Sequence, residues 1–154
     1  MILLSRPKNI TLFLMGCFAC VTLSLTPQKN VSTHTITVVI SNFRNTTGRI
    51  QLDLYRGQEG YAARKGWKTA LLSKKNSVNG KILHQFKNIP TGTYGLALLD
   101  DENCNTKMDF GWIMPKEGYG FGDYYHTGWS QPHFNDFKFY LGSDKRVSMK
   151  IRYL

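Results

Sequence analysis

Arg49-Ile-Gln-Leu-Asp-Leu-Tyr-Arg56 is the stretch whose reading decides the fold. Its apolar residues fall at every second position, Ile50, Leu52 and Leu54, with Arg49, Gln51, Asp53 and Tyr55 between and beside them. A period of two belongs to an extended chain, whose successive side chains point to opposite faces. The stretch is therefore expected to form a half-buried strand, with Ile50, Leu52 and Leu54 inward and the polar set outward. Upstream, Thr35-Ile-Thr-Val-Val-Ile40 carries Ile36, Val38 and Ile40 on one face, and its β-branched content suits a pleat. Residues 42–48 between the two strands form a turn punctuated by Asn45 and Gly48, so the strands are expected to pair as a hairpin.

Working outward, residues 57–79 do not alternate. Tyr61-Ala-Ala-Arg-Lys65 has room for one helical turn between Gly57, Gly60 and Gly66, which makes this segment a crossover loop with a short helix. Strand signals resume at Gly80-Lys-Ile-Leu-His-Gln-Phe86, with Ile82, His84 and Phe86 on one face. Pro90 and Gly92 make a turn, after which Tyr94, Leu96 and Leu98 step inward. A tyrosine entering a strand just after a turn has the pattern of the tyrosine corner of Ig-like sandwiches, in which the phenol bonds back to nearby backbone. Residues 110–135 are glycine-rich and aromatic, and are expected to be loop. Phe137-Lys-Phe-Tyr-Leu141 and the segment 146–153, with Val147, Met149, Ile151 and Tyr153 on one face, close the pattern. About seven strands with almost no helix predict an all-β, Ig-like antiparallel β-sandwich, with a closed barrel as the alternative.

The first 25 residues differ from the rest. Arg6 and Lys8 precede an apolar run from Ile10 to Leu25, the layout of a secretory signal peptide. The run is about 16 residues, short of the ~20 needed to cross a bilayer as a helix, although a signal-anchor is the alternative. Cys17-Phe18-Ala19 and Thr22-Leu23-Ser24 offer small-x-small cleavage sites, whereas Leu14-Met15-Gly16-Cys17 resembles a lipobox in which Cys17 would be lipidated. Residues 26–33 are a polar linker and 34–154 the sandwich domain. Cleavage would leave Cys104 as the one thiol, so the domain must rely on its core rather than on disulfides. The formal net charge of +10 becomes +8 once the two cations Arg6 and Lys8 are removed. That balance suits anionic partners; export points to an envelope glycan, an anionic lipid surface or another envelope protein in the periplasm or at the cell surface, and argues against nucleic acid.

Three further stretches, Phe86-Lys-Asn-Ile-Pro-Thr-Gly-Thr-Tyr94, Asp101-Glu-Asn-Cys-Asn-Thr-Lys-Met-Asp109 and Pro115-Lys-Glu-Gly-Tyr-Gly-Phe121, resemble the consecutive motifs of one family of exported bacterial proteins known only as a domain of unknown function. The resemblance implies an Ig-like or transthyretin-like sandwich over roughly residues 34–154 and implies export, but no activity. Where the family pattern reads D-E-N-G-N-G-K-x-D, this chain has Cys104 and Thr106 in place of the two glycines.

The second of those stretches places oxygen donors at alternate positions: Asp101, Asn103 and Asn105, then the Lys107 carbonyl and Asp109. Calcium takes six to eight oxygens, and such spacing is one way to present them. Thr106 at position 6 and Trp112 at position 12 exclude an EF-hand, which needs glycine and glutamate there, and a strand rather than a helix leads into the loop. The two readings that stand are a weak calcium loop and a bare Asx-rich turn, in which Asp and Asn cap their own backbone. In the 110–135 segment, Tyr124, Tyr125 and Trp129 could stack on sugar rings, with Asp123, His126 and Gln131 bonding hydroxyls; alternatively these rings pack on themselves over one end of the sandwich. His126 and His133 have no recognised zinc spacing, and His84 reads as a core or edge histidine. No catalytic residue can be assigned, because no nucleophile elbow, zinc-protease or phosphate-loop signature occurs. The expected role is a non-catalytic envelope binding or accessory module. The rival is an envelope hydrolase using Glu117, Asp123 and Asp109.

Overall fold

The computed structural model describes residues 31–154, so the predicted signal peptide and most of the linker lie outside the described residues. The described chain is all-β, eight strands in two facing sheets with two very short helices. The first sheet has the order β4-β1-β8, formed by Lys81–Pro90, Thr33–Ser41 and Lys145–Lys150. The second has the order β3-β2-β5-β6, formed by Lys68–Ser73, Arg49–Tyr55, Gly92–Asp101 and Gly118–Phe121, with β7 (Lys138–Leu141) pairing β5 beyond the end of β6. Every ladder between named strands is antiparallel except β1–β8, which is parallel.

The alternation read in β1 and β2 is correct in phase. Ile36, Val38 and Ile40 meet Ile50, Leu52 and Leu54 in one core, and all six are fully buried. Their pairing is not as expected. β1 and β2 form no hairpin; the turn between them carries the chain from one sheet to the other, and each strand finds its partners elsewhere. Two elements lie where loop was expected. β3 occupies part of the crossover, and β6 part of the glycine-rich segment. The short helix after β2 is α1, Gln58–Ala62. A second, α2 at Phe134–Phe137, precedes β7. Tyr94 makes the corner that its position predicts: fully buried, it donates its hydroxyl to the Pro90 carbonyl at 2.8 Å.

The second sheet is covered on both sides. Tyr55, Tyr61, Phe121, Phe134 and Phe137 form a second apolar cluster on its outer face, with ring centroids 4.9–6.5 Å apart. α1 and α2 bring Tyr61, Phe134 and Phe137 to it. The residues of β2 assigned to solvent by alternation are accordingly not in solvent: Asp53 is 7% exposed and Tyr55 5%. The aromatic segment thus covers the side of a sheet, rather than an end of the sandwich.

Candidate functional site

Outer-face positions of three strands form a floor: Gln51, Asp53 and Tyr55 of β2, Ala97 and Leu99 of β5, and Tyr119 and Phe121 of β6. Two loops rise beside it, one carrying Thr106, Lys107, Phe110 and Ile113, the other His126, Trp129 and Gln131. Together they enclose a cleft of about 650 Å³, within the range of small-molecule sites. The second loop is held by Arg152, whose guanidinium donates to the His126 and Gly128 carbonyls at 2.8 Å, and by His126 Nε2 against the Ser130 carbonyl at 2.6 Å. The first is a tight hairpin in which Gly111 N–H donates to the Met114 carbonyl and Lys116 N–H to the Asp109 carbonyl. Its tip leaves Trp112 and Ile113 in solvent.

The floor carries a carboxylate, Asp53, and the walls set apolar Phe110, Ile113 and Trp129 beside polar Lys107, His126 and Gln131. Asp53 accepts hydrogen bonds from the Thr69 hydroxyl, from Gln51 Nε2 at 2.9 Å and from the Tyr55 hydroxyl at 3.5 Å, and among the described residues no cation pairs with it. Burial, then the Asp53 charge, pushes the Tyr55 phenol far above its ordinary range. Burial also raises Tyr61. Two buried polar atoms have no hydrogen-bond partner among the described residues, Gln51 Oε1 and Tyr61 Oη, and both residues line this cleft. Gln131 is near enough to draw the Tyr61 phenol slightly downward but makes no well-formed bond to it. Leaving such groups unpaired costs about 1–3 kcal/mol each, so their position against a cavity points to a ligand or solvent that completes them.

The loop of residues 101–109 forms the base of the first wall. Asp101 is fully buried; its carboxylate accepts Arg49 Nε at 2.9 Å and the backbone N–H groups of Asn105 and Thr106 at 2.9 and 3.1 Å. Asn103 Oδ1 accepts Asn105 N–H, and Asn105 Oδ1 accepts Lys107 N–H, each an Asx turn. The two amide groups donate to Asp109, at 2.5 Å from Asn103 and 3.1 Å from Asn105. Of the five residues considered as calcium ligands, the structure brings Asn103, Asn105 and Asp109 together, while Asp101 is turned to Arg49 and to backbone. Among the described residues no group of three or more His, Cys, Asp or Glu is placed to hold a metal. Glu117, which sequence spacing does not connect to the loop, fastens its two ends: Glu102 N–H donates to Oε1 at 3.0 Å and Asp109 N–H to Oε2 at 3.2 Å. Cys104 and Thr106 stand at φ +62° and +64°, the left-handed conformation that glycine adopts most readily.

The other candidates separate. Of the three aromatic residues, Trp129 lines the cleft, 78% exposed. Tyr124 packs on Phe121 and His126, and Tyr125 lies under the Lys150 ammonium, 5.3 Å from its ring centre; neither lines the cleft. The three carboxylates of the hydrolase reading do not converge there either. Asp123 accepts Ser148 N–H at 2.8 Å and faces Lys145, Glu117 is taken up by backbone, and none of Asp109, Glu117 and Asp123 lines the cleft. The carboxylate that does is Asp53, hidden from sequence reasoning by its regular outward place in the alternation. His84 stands on the edge strand β4, edge-on to Phe86, and burial lowers its pKa.

A family model described as an uncharacterized protein conserved in bacteria (DUF2141) matches residues 38–150 of the chain. No curated protein and no solved structure matches it.

Proposed function

We propose that this chain, which belongs to the uncharacterised bacterial family DUF2141, is an exported, non-catalytic binding or accessory module of the cell envelope whose recognition surface is the cleft on the outer face of the second sheet. One observation carries the reading: Gln51 Oε1 and Tyr61 Oη, buried and without partners among the described residues, belong to two residues that line a cleft walled by Phe110, Ile113 and Trp129. A ligand that fits offers apolar faces to the rings and hydroxyl or N–H groups to the floor. Sugar rings of an envelope glycan have both, since hydroxyls donate and accept and the axial C–H faces stack on aromatic side chains. Export rests on the charge and hydropathy pattern of residues 1–25.

Titration of tryptophan fluorescence with soluble peptidoglycan fragments tests the binding reading. A saturable change that Trp129→Ala and Gln51→Leu both weaken at least tenfold, with the fold intact by circular dichroism, is the expected result. No response to glycan, or binding that ignores both substitutions, removes it. Export is tested separately, by mapping the mature N-terminus of protein recovered from the envelope fraction.

A second reading, that weak calcium binding stiffens the 101–109 loop, is favoured by the charge around it. Arg49 and Arg44 pair with Asp101 and Glu102, but Asp109 and the buried Glu117 have no cationic partner among the described residues. Thermal unfolding in EGTA and then in millimolar calcium decides it. A native-state ligand at ~100 times its dissociation constant stabilises by about 2.7 kcal/mol, a rise of several degrees that Asp109→Ala should abolish. No calcium-specific rise leaves the loop a self-capped turn.

A further inference from the structure

Lys74 follows β3 and its side chain is fully buried, an unusual place for an ammonium group. Its Nζ meets two groups: Asp100 Oδ1 at 2.5 Å, also fully buried, and the side-chain carbonyl of Asn45 at 3.1 Å. The carbon of that amide lies no more than one C=O length, ~1.2 Å, further on. The remaining contacts hold the amide in a fixed orientation. Asn45 Nδ2 donates to Glu102 Oε1 at 2.8 Å, and Thr47 N–H donates to Asn45 Oδ1 at 2.9 Å. The carbonyl oxygen therefore has a backbone donor aimed at it as well as the lysine. Tyr153 closes the pocket from outside: its hydroxyl donates to Asp100 Oδ2 at 2.5 Å, and the Arg44 guanidinium stacks over its ring at 4.7 Å.

An ion pair taken out of water stabilises little by itself, because desolvation offsets the attraction. The same dry contact sets Nζ between a carboxylate and the oxygen of an oriented, hydrogen-bonded amide. We propose that Lys74 and Asn45 become joined by an intramolecular isopeptide bond, with Asp100 as the proton carrier. Asp100 takes a proton from Lys74 Nζ, and the freed electron pair attacks Asn45 Cγ. The C=O electrons move to Oδ1, where the Thr47 N–H meets the developing charge, as backbone donors do in acyl transfer. Collapse breaks the Cγ–Nδ2 bond as Asp100 gives its proton to the departing nitrogen; Asp100 then takes the second proton from Nζ and passes it to the released ammonia, which leaves as ammonium. One lysine ammonium and one primary amide give one secondary amide and one ammonium ion, with no oxidant, cofactor or external energy. The bond would tie the β1–β2 connection to the end of β3 in a domain whose only described cysteine, Cys104, is free.

Mass spectrometry of the purified full chain reads the outcome directly. The expected protein is lighter than its sequence by one ammonia, and trypsin should release a branched peptide joining Asn45–Arg49 to the segment Thr69–Lys75, uncleaved after Lys74. Fragmentation of that peptide places the bond and separates it from ammonia lost elsewhere. Asp100→Asn should abolish the branched peptide, and so should Lys74→Arg. Recovery of both peptides only in linear, unmodified form from the folded wild-type protein overturns the proposal. Loss of water, with Lys74 joined to Asp100, overturns it as well. Neither outcome bears on the cleft, whose glycan titration is independent.

Discussion

Cys104 and Thr106 hold left-handed backbone, the conformation that glycine adopts at least cost. For a residue with a Cβ that conformation costs roughly 1–2 kcal/mol, partly returned in glycine by its greater freedom in the unfolded chain. Cys104→Gly and Thr106→Gly are each expected to raise stability by about 0.5–1 kcal/mol, read as a shift of the denaturation midpoint at unchanged slope. Tyr94 makes the opposite prediction. Removing its hydroxyl in Tyr94→Phe leaves the Pro90 carbonyl without that donor and should cost about 1 kcal/mol. A third concerns pH. Burial holds His84 below its ordinary value of 6.5, so in the window beneath 6.5 the unfolded chain binds protons that the folded one refuses. Stability therefore falls as pH drops through that window. His84→Gln should flatten this acid limb in a series of melting curves from about pH 7 to pH 5.

The covered outer face of the second sheet is the element on which the candidate site depends. A Cβ at Gly95 would stand 2.7 Å from the rings of both Phe134 and Phe137. Gly95→Ala should therefore displace α2 and cost about 1–3 kcal/mol, and any cleft ligand should weaken with it although residue 95 does not line the cleft. A denaturation curve paired with a binding titration checks both. Which features were legible in the sequence follows from the range of the interactions behind them. Strand phase in β1 and β2 is a local property, and the apolar set was read correctly. The Tyr94 corner spans four residues and was legible for the same reason. What lies over a strand is not local. Asp53 and Tyr55 both read as solvent-facing; Tyr55 is covered by rings from residues 134–137, far along the chain, and Asp53 is taken up by the Thr69 hydroxyl of the neighbouring strand. β3 escaped because a short edge strand with every second residue exposed carries little apolar signal. β6 escaped because Gly118 and Gly120 weaken any strand reading; both are held by close approach, Gly118 to Ile151 and Tyr153, Gly120 to the Lys150 carbonyl. Likewise the oxygen spacing of the 101–109 loop was visible, but its fastening by Glu117 and Arg49 was not.

At the scale of the whole molecule, the sandwich is assembled from distant segments. β1 lies between β4 and β8, and β5 takes β2, β6 and β7 as neighbours. Domains rich in such non-local pairs fold slowly, in milliseconds to seconds, because loop closure comes before the contacts that reward it. Stopped-flow refolding should place this domain in that range. Deleting residues 145–154 should leave a chain without cooperative unfolding, because Val147, Met149 and Ile151 are removed from the core along with the ladder to β1. The parallel β1–β8 pair has a consequence for the order in which the domain can close. The first described strand cannot complete its sheet until the last is available. A chain gathered from its N-terminal side can pair β1 with β4, and β2 with β3 and β5, yet that first sheet stays one strand short, with one side of β1 open, until the final segment arrives.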